Sequence, residues 1–216
     1  MTLFRTAACT LLCLISLPSF ALSEQGQAQL QSLQDRWAEI NYQLPQEQRE
    51  KAFASLSEQA QKAVAAEPNS AELQIWNGII LSTYAGAKGG LGALGLVKEA
   101  KASLEQGLAL DPKALSGSAY TSLGSLYYQV PGWPVGFGDD EKAEAMLKQA
   151  LAINPDGIDP NYFYADYLTR AKRYAEAKVA LEKALQAPAR PNRLSADAGR
   201  KAEIQALLAK VNAELE

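Results

Sequence analysis

Two short segments of the chain have residue types whose spacing could support chemistry. The first, Gly90-Leu-Gly92-Ala-Leu-Gly95, has the glycine pattern of a dinucleotide-binding turn and follows an apolar run at 79–84. Such a site needs a parallel sheet, and no other segment has the pattern of a strand. The glycines therefore predict a tight turn, with the alternative that its free amides hold an anionic group at the start of the next helix.

The second segment, Asp139-Asp140-Glu141, could bind a cation through its carboxylates together with Asp156 and Asp159 on the next connection. Its spacing lacks the alternating oxygen ligands and the final bidentate glutamate of a calcium loop. Acidic residues at a helix start ordinarily cap free amides and suit the positive end of the helix dipole. We therefore predict helix caps, and neither a metal nor another cofactor.

The chain contains no histidine, and its two cysteines, Cys9 and Cys13, lie near the N-terminus. If that segment is removed, thiol nucleophiles, histidine-based triads and His/Cys zinc sites are all excluded. No acid–base pair emerges from the remaining residues, so we expect a protein that is not an enzyme. The formal net charge of −3, with interspersed signs, makes nucleic acid an unexpected partner.

Residues 1–21 resemble a secretory signal peptide. Arg5 precedes an apolar run at 7–17, and Ser19-Phe20-Ala21 forms a small-x-small end. We predict cleavage after Ala21 and a periplasmic or secreted protein without a membrane span in its mature part. Lipid attachment at a cysteine is the alternative, although neither Cys9 nor Cys13 has the small residues at an adequate distance from the N-terminus that such attachment requires.

Prolines punctuate a series of alanine-rich helical segments. Pro68, Pro112, Pro155 and Pro188 are 44, 43 and 33 residues apart, so the last spacing is close to a standard repeat of about 34 residues. The first two spacings are longer because of inserted stretches at 84–95 and 130–138. This pattern predicts an all-α solenoid of stacked antiparallel helix pairs with two expanded Gly-rich turns.

The residues between these prolines repeat in register. One unit has a large residue and a Leu-Gly pair on its first helix and small residues around a bulky one on its second, at Tyr120, Leu123, Gly124, Tyr127, Ala143, Leu147, Ala150 and Pro155. The neighbouring units repeat the pattern at Gly78, Leu81, Ala100, Leu104, Gly107 and Pro112, and at Ala165, Leu168, Tyr174, Ala177, Leu181 and Ala184. Together these positions resemble the tetratricopeptide repeat (TPR) family.

Within that family, the chain is similar to a divergent periplasmic subgroup that includes the T component of TRAP transporters. The resemblance covers roughly residues 69–187. It implies degenerate repeats, Gly-rich turns and a role in solute uptake by docking a substrate-binding component. The chain departs from the subgroup in lacking a convincing lipid-attachment cysteine.

We divide the chain into a leader at 1–21 and a single TPR-like helical domain at 22–216. Within this domain we expect a divergent N-terminal cap repeat at 22–68, repeats at 69–112, 113–155 and 156–188, and a capping helix at 195–215. The N-terminal stripe of Leu30, Leu33, Trp37, Ile40 and Leu44 predicts a packed face, with an exposed oligomerisation helix as the alternative. Residues 188–193 predict a stiff linker or, alternatively, a basic contact site.

Aromatic residues are concentrated on the first helices of the third and fourth units, and first helices line the concave groove of such arrays. Tyr128, Trp133, Phe137, Tyr164 and Tyr167 are the predicted partner-binding residues, with core and turn packing as the alternative for each.

Two binding functions remain open. We expect a scaffold or adaptor that binds another protein or peptide in an open groove. The alternative is an accessory of solute uptake that binds a small solute or a solute-binding protein, with a pocket where the two Gly-rich turns meet.

Overall fold

The computed structural model describes residues 22–216, which form nine α-helices and no β-strand. The helices are α1 (Glu24–Tyr42), α2 (Gln46–Ala66), α3 (Ala71–Lys88), α4 (Ala93–Leu110), α5 (Ala114–Gln129), α6 (Asp140–Ile153), α7 (Ile158–Arg170), α8 (Tyr174–Leu185) and α9 (Leu194–Ala213). Each helix packs against the next helix in the chain, which confirms the predicted all-α, TPR-like solenoid. The predicted leader, with Cys9 and Cys13, lies outside the described residues.

Side-chain oxygens and prolines mark several helix boundaries. Ser70 Oγ accepts the N–H of Leu73 at 3.1 Å, and Asp139 Oδ1 accepts that of Lys142 at 3.0 Å. The predicted capping role of Asp139 is thereby confirmed. Helices α2, α4 and α6 each end two residues before Pro68, Pro112 or Pro155, because proline cannot continue the hydrogen-bonding pattern.

The first inserted stretch lengthens two helices instead of widening their turn. We predicted an expanded turn over 84–95, but α3 continues to Lys88 and α4 begins at Ala93. Only residues 89–92 remain as the turn, and Gly89 and Gly90 adopt φ values of 65° and 58° that favour glycine. The flanking Ala, Leu and Lys residues are strong helix formers, which explains the correction.

The second inserted stretch remains a long connection between α5 and α6. Its ends are held together by backbone hydrogen bonds, from Gly138 N to Pro131 O at 3.0 Å and from Asp139 N to Tyr127 O at 2.8 Å. The connection therefore projects from a fixed base.

Close approach of a glycine to a leucine sets the packing within two helix pairs. An added Cβ at Gly124 would lie 2.7 Å from Leu147 Cγ and 3.2 Å from Ala143 O. An added Cβ at Gly78 would lie 2.5 Å from Leu104 Cγ and 3.0 Å from Ala100 O. The same contact thus recurs at the predicted repeat positions, because only glycine lets the two backbones come so close.

The buried apolar residues form two clusters. The larger one runs through the helix pairs from α3 to α9, and the smaller one joins α1, α2 and α3. Leu33, Trp37 and Ile40 are buried in the smaller cluster, with Leu30 and Leu44 packed beside it. The N-terminal stripe is therefore a packed face, as predicted.

Helix α9 returns to the start of the domain and packs against α1 as well as α7 and α8. An added Cβ at Gly199 would overlap the ring of Tyr42, and Gln43 Nε2 donates to Ser195 Oγ at 3.1 Å. Ala196 of α9 is buried in the smaller cluster, among residues of α1, α2 and α3. The predicted capping helix therefore also closes the described solenoid on itself, which the sequence did not predict.

Replacing Gly124 with alanine tests the close helix approach. The new methyl group would overlap Leu147 near its branch point, so Gly124→Ala should lower the free energy of unfolding by about 1–3 kcal/mol. Gly95→Ala is the matched control, since an added Cβ there meets nothing within 4 Å. That change should stabilise by about 0.5–1 kcal/mol through helix propensity alone. Urea titration of both variants measures the difference, and equal effects would contradict the packing.

Candidate functional site

A cavity of about 800 Å³ lies inside the ring of helices. Its walls come from α1, α3, α5, α7 and α9, with the beginning of α2 and the connection before α9. We call it the central cavity. Its volume lies within the range of about 300–1,000 Å³ that is usual for ligand sites.

Aromatic rings form one wall of the central cavity. Trp37 packs edge-on against Trp76 and Tyr42, with ring centroids 6.0 and 5.7 Å apart. Trp37 Nε1 donates to Thr83 Oγ1 at 2.9 Å, which fixes its indole ring. This hydrogen bond satisfies the one donor of the Trp37 side chain, and Trp37 and Trp76 are both buried.

An ion-pair network forms the adjacent part of the wall and joins α7 to α9. Asp159 on the first turn of α7 accepts from Arg190 at 2.5 Å and from Arg200 at 2.8 Å. Arg190 also pairs with Asp197 at 2.7 Å, and Arg200 pairs with Glu203 at 2.6 Å. Asp159 is thus bound by two guanidinium groups, which sequence analysis missed when it treated this residue as an ordinary acidic helix start.

The network shifts the pKa values of its members. Burial would raise the pKa of Asp159, but Arg200 and Arg190 outweigh it and lower this pKa to about 2. Burial would likewise lower the pKa of Arg200, but Asp159 and then nearby Tyr42 and Glu203 raise it above its usual value. Asp159 and Arg200 are consequently both charged at neutral pH.

The Arg200 guanidinium also covers two aromatic rings of α7. Its carbon Cζ lies 4.3 Å from the ring centroid of Tyr162 and 4.8 Å from that of Phe163. These cation–π contacts hold Arg200 in place while its nitrogens bind carboxylates.

Arg193 differs from its neighbours in the cavity wall. Its Cζ lies 4.8 Å from the Trp76 ring centroid, and among residues 22–216 its guanidinium has no carboxylate within ion-pair distance and no hydrogen-bond acceptor. Burial and the neighbouring Arg190 lower the pKa of Arg193. A half-buried guanidinium is therefore left with unused donors.

Helix α5 enters the cavity wall through a strained segment. Leu115 and Ser116 have φ values of 48° and 56°, and Gly117 continues at 79°. Residues with a side chain lose about 1–2 kcal/mol each in this left-handed conformation. Leu115 and Ser116 both line the central cavity, so the strain lies at the candidate site.

Three of the predicted partner-binding residues lie together between α5 and α7. The ring of Tyr167 lies 5.9 Å from that of Tyr128 and is stacked 6.4 Å from that of Tyr164. Tyr167 is buried, and Tyr128 donates to Asp166 at 2.8 Å. Burial, then Asp166, raises the pKa of Tyr128, so its hydroxyl stays protonated.

None of these three tyrosines lines the central cavity. Tyr164 lines a second cavity, of about 370 Å³, together with residues of α8 such as Val179 and Lys183. The wall of the central cavity instead contains Tyr162 and Phe163, which precede Tyr164 on α7.

The other two predicted residues, Phe137 and Trp133, lie on the connection between α5 and α6. Phe137 packs edge-on against Tyr127 at 5.8 Å, next to the ammonium of Lys101. Trp133 is 90% exposed at the tip of the connection. The lining of the central cavity includes no residue of this connection or of the first turn, so this cavity is not the pocket expected where the two Gly-rich turns meet.

The sequence contains one signal for the cavity wall. Residues 188–193 predict a linker or, alternatively, a basic contact site, and both Arg190 and Arg193 line the central cavity. Asp159, the ion-pair partner of Arg190, lies 31 residues earlier in the chain. An ion pair between residues so far apart in the sequence depends on the curvature of the solenoid. Local sequence patterns do not predict that curvature.

Two further findings concern sites of other kinds. Within residues 22–216, no three His, Cys, Asp or Glu side chains form a group that could hold a metal ion. Over the same range, no helix combines the length and apolar character needed to cross a membrane.

Replacing Asp159 with asparagine should weaken the α7–α9 junction. The neutral amide leaves Arg190 and Arg200 without a shared charge partner, and we expect the free energy of unfolding to fall by about 2 kcal/mol at pH 7. This is less than for a fully buried pair because Asp159 keeps 28% of its side chain exposed. Asp156→Asn, which removes an exposed pair with Lys183, should change it by under about 0.5 kcal/mol. Urea titration measures both variants. Equal losses of unfolding free energy in Asp159→Asn and Asp156→Asn would contradict a stabilising role of the network.

The carboxylate of Asp159 predicts that the free energy of unfolding depends on pH. Its pKa is about 2 in the folded protein, compared with an ordinary value of 3.8. Its stabilisation is therefore present above about pH 4 and is lost as the pH falls towards 2, with a magnitude of about 2 kcal/mol. Urea titrations from pH 6 to pH 2 should show a shallower loss for Asp159→Asn than for the wild type. Parallel curves would show that Asp159 has no such role.

Comparison with known proteins gives a likeness only among solved structures. No protein-family model matches the chain, and no curated protein matches it. The structure of MamA aligns at 22% identity over 78% of this chain and 92% of its own, with a TM-score of 0.43. A thermophilic TPR protein of Thermus thermophilus aligns at 17% identity over 85% of this chain and 99% of its own, with a TM-score of 0.45. The pilF protein of Pseudomonas aeruginosa aligns at 15% identity over 89% and 90%, with a TM-score of 0.36. At these scores, the likeness carries no argument about a partner or an activity.

Proposed function

We propose that this chain is a protein-interaction scaffold whose central cavity is the groove that holds a segment of a partner protein. The observation that carries the proposal is the composition of the cavity wall. Five helices, α1, α3, α5, α7 and α9, turn side chains towards one space of about 800 Å³. A solenoid uses such a shared inner surface to bind partners.

The chemistry of the wall fits a peptide segment. Polar side chains from α1 and α5, among them Asn41, Ser122 and Gln129, line the same cavity as the half-buried Ile79 and Leu115. Amides and hydroxyls can pair with the backbone groups of an extended chain, while the apolar groups can contact its side chains. The wall thus offers both components of peptide recognition.

We place this function in the periplasm or outside the cell. The proposal rests on the leader-like sequence of residues 1–21, with Arg5, the apolar run and Ser19-Phe20-Ala21. N-terminal sequencing of the protein recovered from the periplasm or medium should begin at Leu22. An N-terminus that retains the leader would contradict cleavage.

A second candidate is an accessory of solute uptake, similar to the T component of TRAP transporters. The observation that favours it is the return of α9 to α1, which gives the central cavity a closed rim and a volume suited to a small ligand. In this case the cavity would hold a solute or a loop of a solute-binding protein.

The five predicted aromatic residues form a separate proposed contact region. Tyr128, Tyr164 and Tyr167 would act as one surface between α5 and α7, and Trp133 and Phe137 as another on the connection. Trp133 supports this proposal best, since a nearly fully exposed indole on a held connection has no packing role in the described structure.

Photo-crosslinking in intact cells tests where the partner binds. A photoreactive side chain at Ser122 in the cavity wall should yield a discrete polypeptide adduct, and mass spectrometry of that adduct identifies the partner. The same side chain at Gln205, an exposed position on α9 outside the cavity lining, should yield none.

Additional photoreactive side chains at Trp133 and Tyr164 distinguish the central cavity from the two aromatic contact regions. An adduct at these positions without one at Ser122 would move the binding site to the aromatic regions. Absence of a polypeptide adduct at all three positions would contradict the scaffold proposal and favour the solute-uptake candidate.

A further inference from the structure

The wall of the central cavity has more cationic than anionic side chains, although the whole chain has a net charge of −3. Four arginines line the cavity, at 49, 190, 193 and 200, against three carboxylates, at 159, 166 and 203. Such a local excess in an acidic chain identifies the charge of a ligand better than the net charge does.

Each carboxylate in this wall already has a cationic partner. Asp159 pairs with Arg190 and Arg200, Glu203 pairs with Arg200, and Asp166 pairs with Arg170 at 3.5 Å. These ion pairs therefore neutralise the carboxylates of the wall. The remaining cations, Arg49 and Arg193, have no carboxylate partner among the described residues.

Arg193 is held ready for an anion. Its guanidinium lies over the Trp76 ring, so the aromatic face positions it while its nitrogen donors make no hydrogen bond within residues 22–216. A planar guanidinium held in this way can bind a carboxylate with two parallel hydrogen bonds. Without a ligand, these half-buried donors are satisfied only by water.

Arg49, at the beginning of α2, is the second unpaired cation. Its Nε donates to Leu44 O at 2.9 Å, which fixes the side chain by one nitrogen and leaves the two terminal nitrogens for a ligand. Like Arg193, it is half-buried and lines the central cavity. Arg49 and Arg193 thus supply two separately anchored sets of donors.

We propose, on the basis of the proposed scaffold function, that Arg49 and Arg193 bind acidic side chains of a partner peptide whose apolar residues pack on the half-buried Ile79 and Leu115 of the cavity wall. The charge complementarity of the cavity carries this assignment. A singly charged carboxylate fits better than a phosphate dianion, because the lining arginines exceed the lining carboxylates by only one, four against three. The preferred segment contains Asp or Glu close to an aliphatic or aromatic residue.

Selection from a phage-displayed library of random heptapeptides tests this specificity, and it works even though the partner is unidentified. The wild-type protein should enrich peptides with Asp or Glu beside an apolar residue. Arg193→Gln and Arg49→Gln should lose the acidic preference. Arg36→Gln is the control, since Arg36 is half-buried on α1 like Arg49 and Arg193, pairs with Glu39 and is not part of the cavity lining.

Fluorescence anisotropy with the most enriched peptide then measures how much each substitution changes the affinity for that peptide. Arg193→Gln should weaken binding about tenfold or more, the usual effect of losing a charge-assisted hydrogen-bonded pair. Arg193→Lys, which keeps the charge but not the planar fork, should weaken it less, and Arg36→Gln should leave it unchanged. Thermal unfolding by circular dichroism checks that each variant is folded. If Arg193→Gln is not folded, the affinity of Arg49→Gln for the same peptide tests the proposal instead.

The outcomes separate this inference from the proposed function. Enriched peptides without acidic residues, whose binding Arg193→Gln leaves intact, would overturn the acidic preference and keep the scaffold. Failure to enrich any peptide would overturn both.

A small acid is distinguished by titrating free succinate and free inorganic phosphate into the wild-type protein while recording tryptophan fluorescence. A response to succinate that Arg193→Gln abolishes, together with no peptide enrichment, would assign the arginines to a solute and overturn the peptide proposal. A response to phosphate alone would overturn the preference for carboxylate.

Discussion

The closed arrangement of the described helices depends on the carboxylate of Asp159. It lies at the start of α7, and the two guanidinium groups that bind it come from Arg190 in the connection before α9 and from Arg200 within α9. Buried ion pairs seldom add much net stability, but they restrict which arrangements of the chain are acceptable, because any other arrangement leaves charges unpaired. Here that restriction fixes α9 against α7, and the neighbouring Gly199 and Glu203 of α9 contact Tyr42 of α1.

The repeat packing and the ion-pair network determine different features of the same structure. Glycine at 78 and 124 brings successive helices close to the leucines of their partners, and this local contact is repeated along the solenoid. Repetition of one contact gives a regular curve, while the Asp159 network determines where the curve ends. The central cavity exists because both conditions are met, and three of its arginines come from the segment that closes it.

The repeated features could be predicted from the sequence because they are local, whereas the cavity wall could not. The Leu-Gly pairs and the prolines after the helices occur at fixed spacings that report helix packing directly. Trp76 and Arg193, by contrast, are in contact across more than a hundred residues, and Tyr42 reaches Glu203 across 161. Such contacts depend on the accumulated rotation of every intervening helix, and the conversion of residues 84–95 into longer helices changes that rotation. The predicted partner-binding aromatic residues depend on a local density of rings in the sequence, which does not indicate where each ring points.

Closure of the solenoid by α9 against α1 is what forms the central cavity. Residues 22–216 contain no cysteine, which allows a single pair to be introduced at Gln43 and Ser195, whose side chains are hydrogen-bonded at 3.1 Å. The most direct measurement is the rate at which a short bismaleimide joins Gln43→Cys to Ser195→Cys within one molecule in dilute protein. A closed solenoid predicts rapid and nearly complete intramolecular crosslinking, without dimers, and an unchanged circular dichroism spectrum. Slow crosslinking, or crosslinks only between molecules, would show that α9 and α1 are apart in solution and would contradict the closed solenoid.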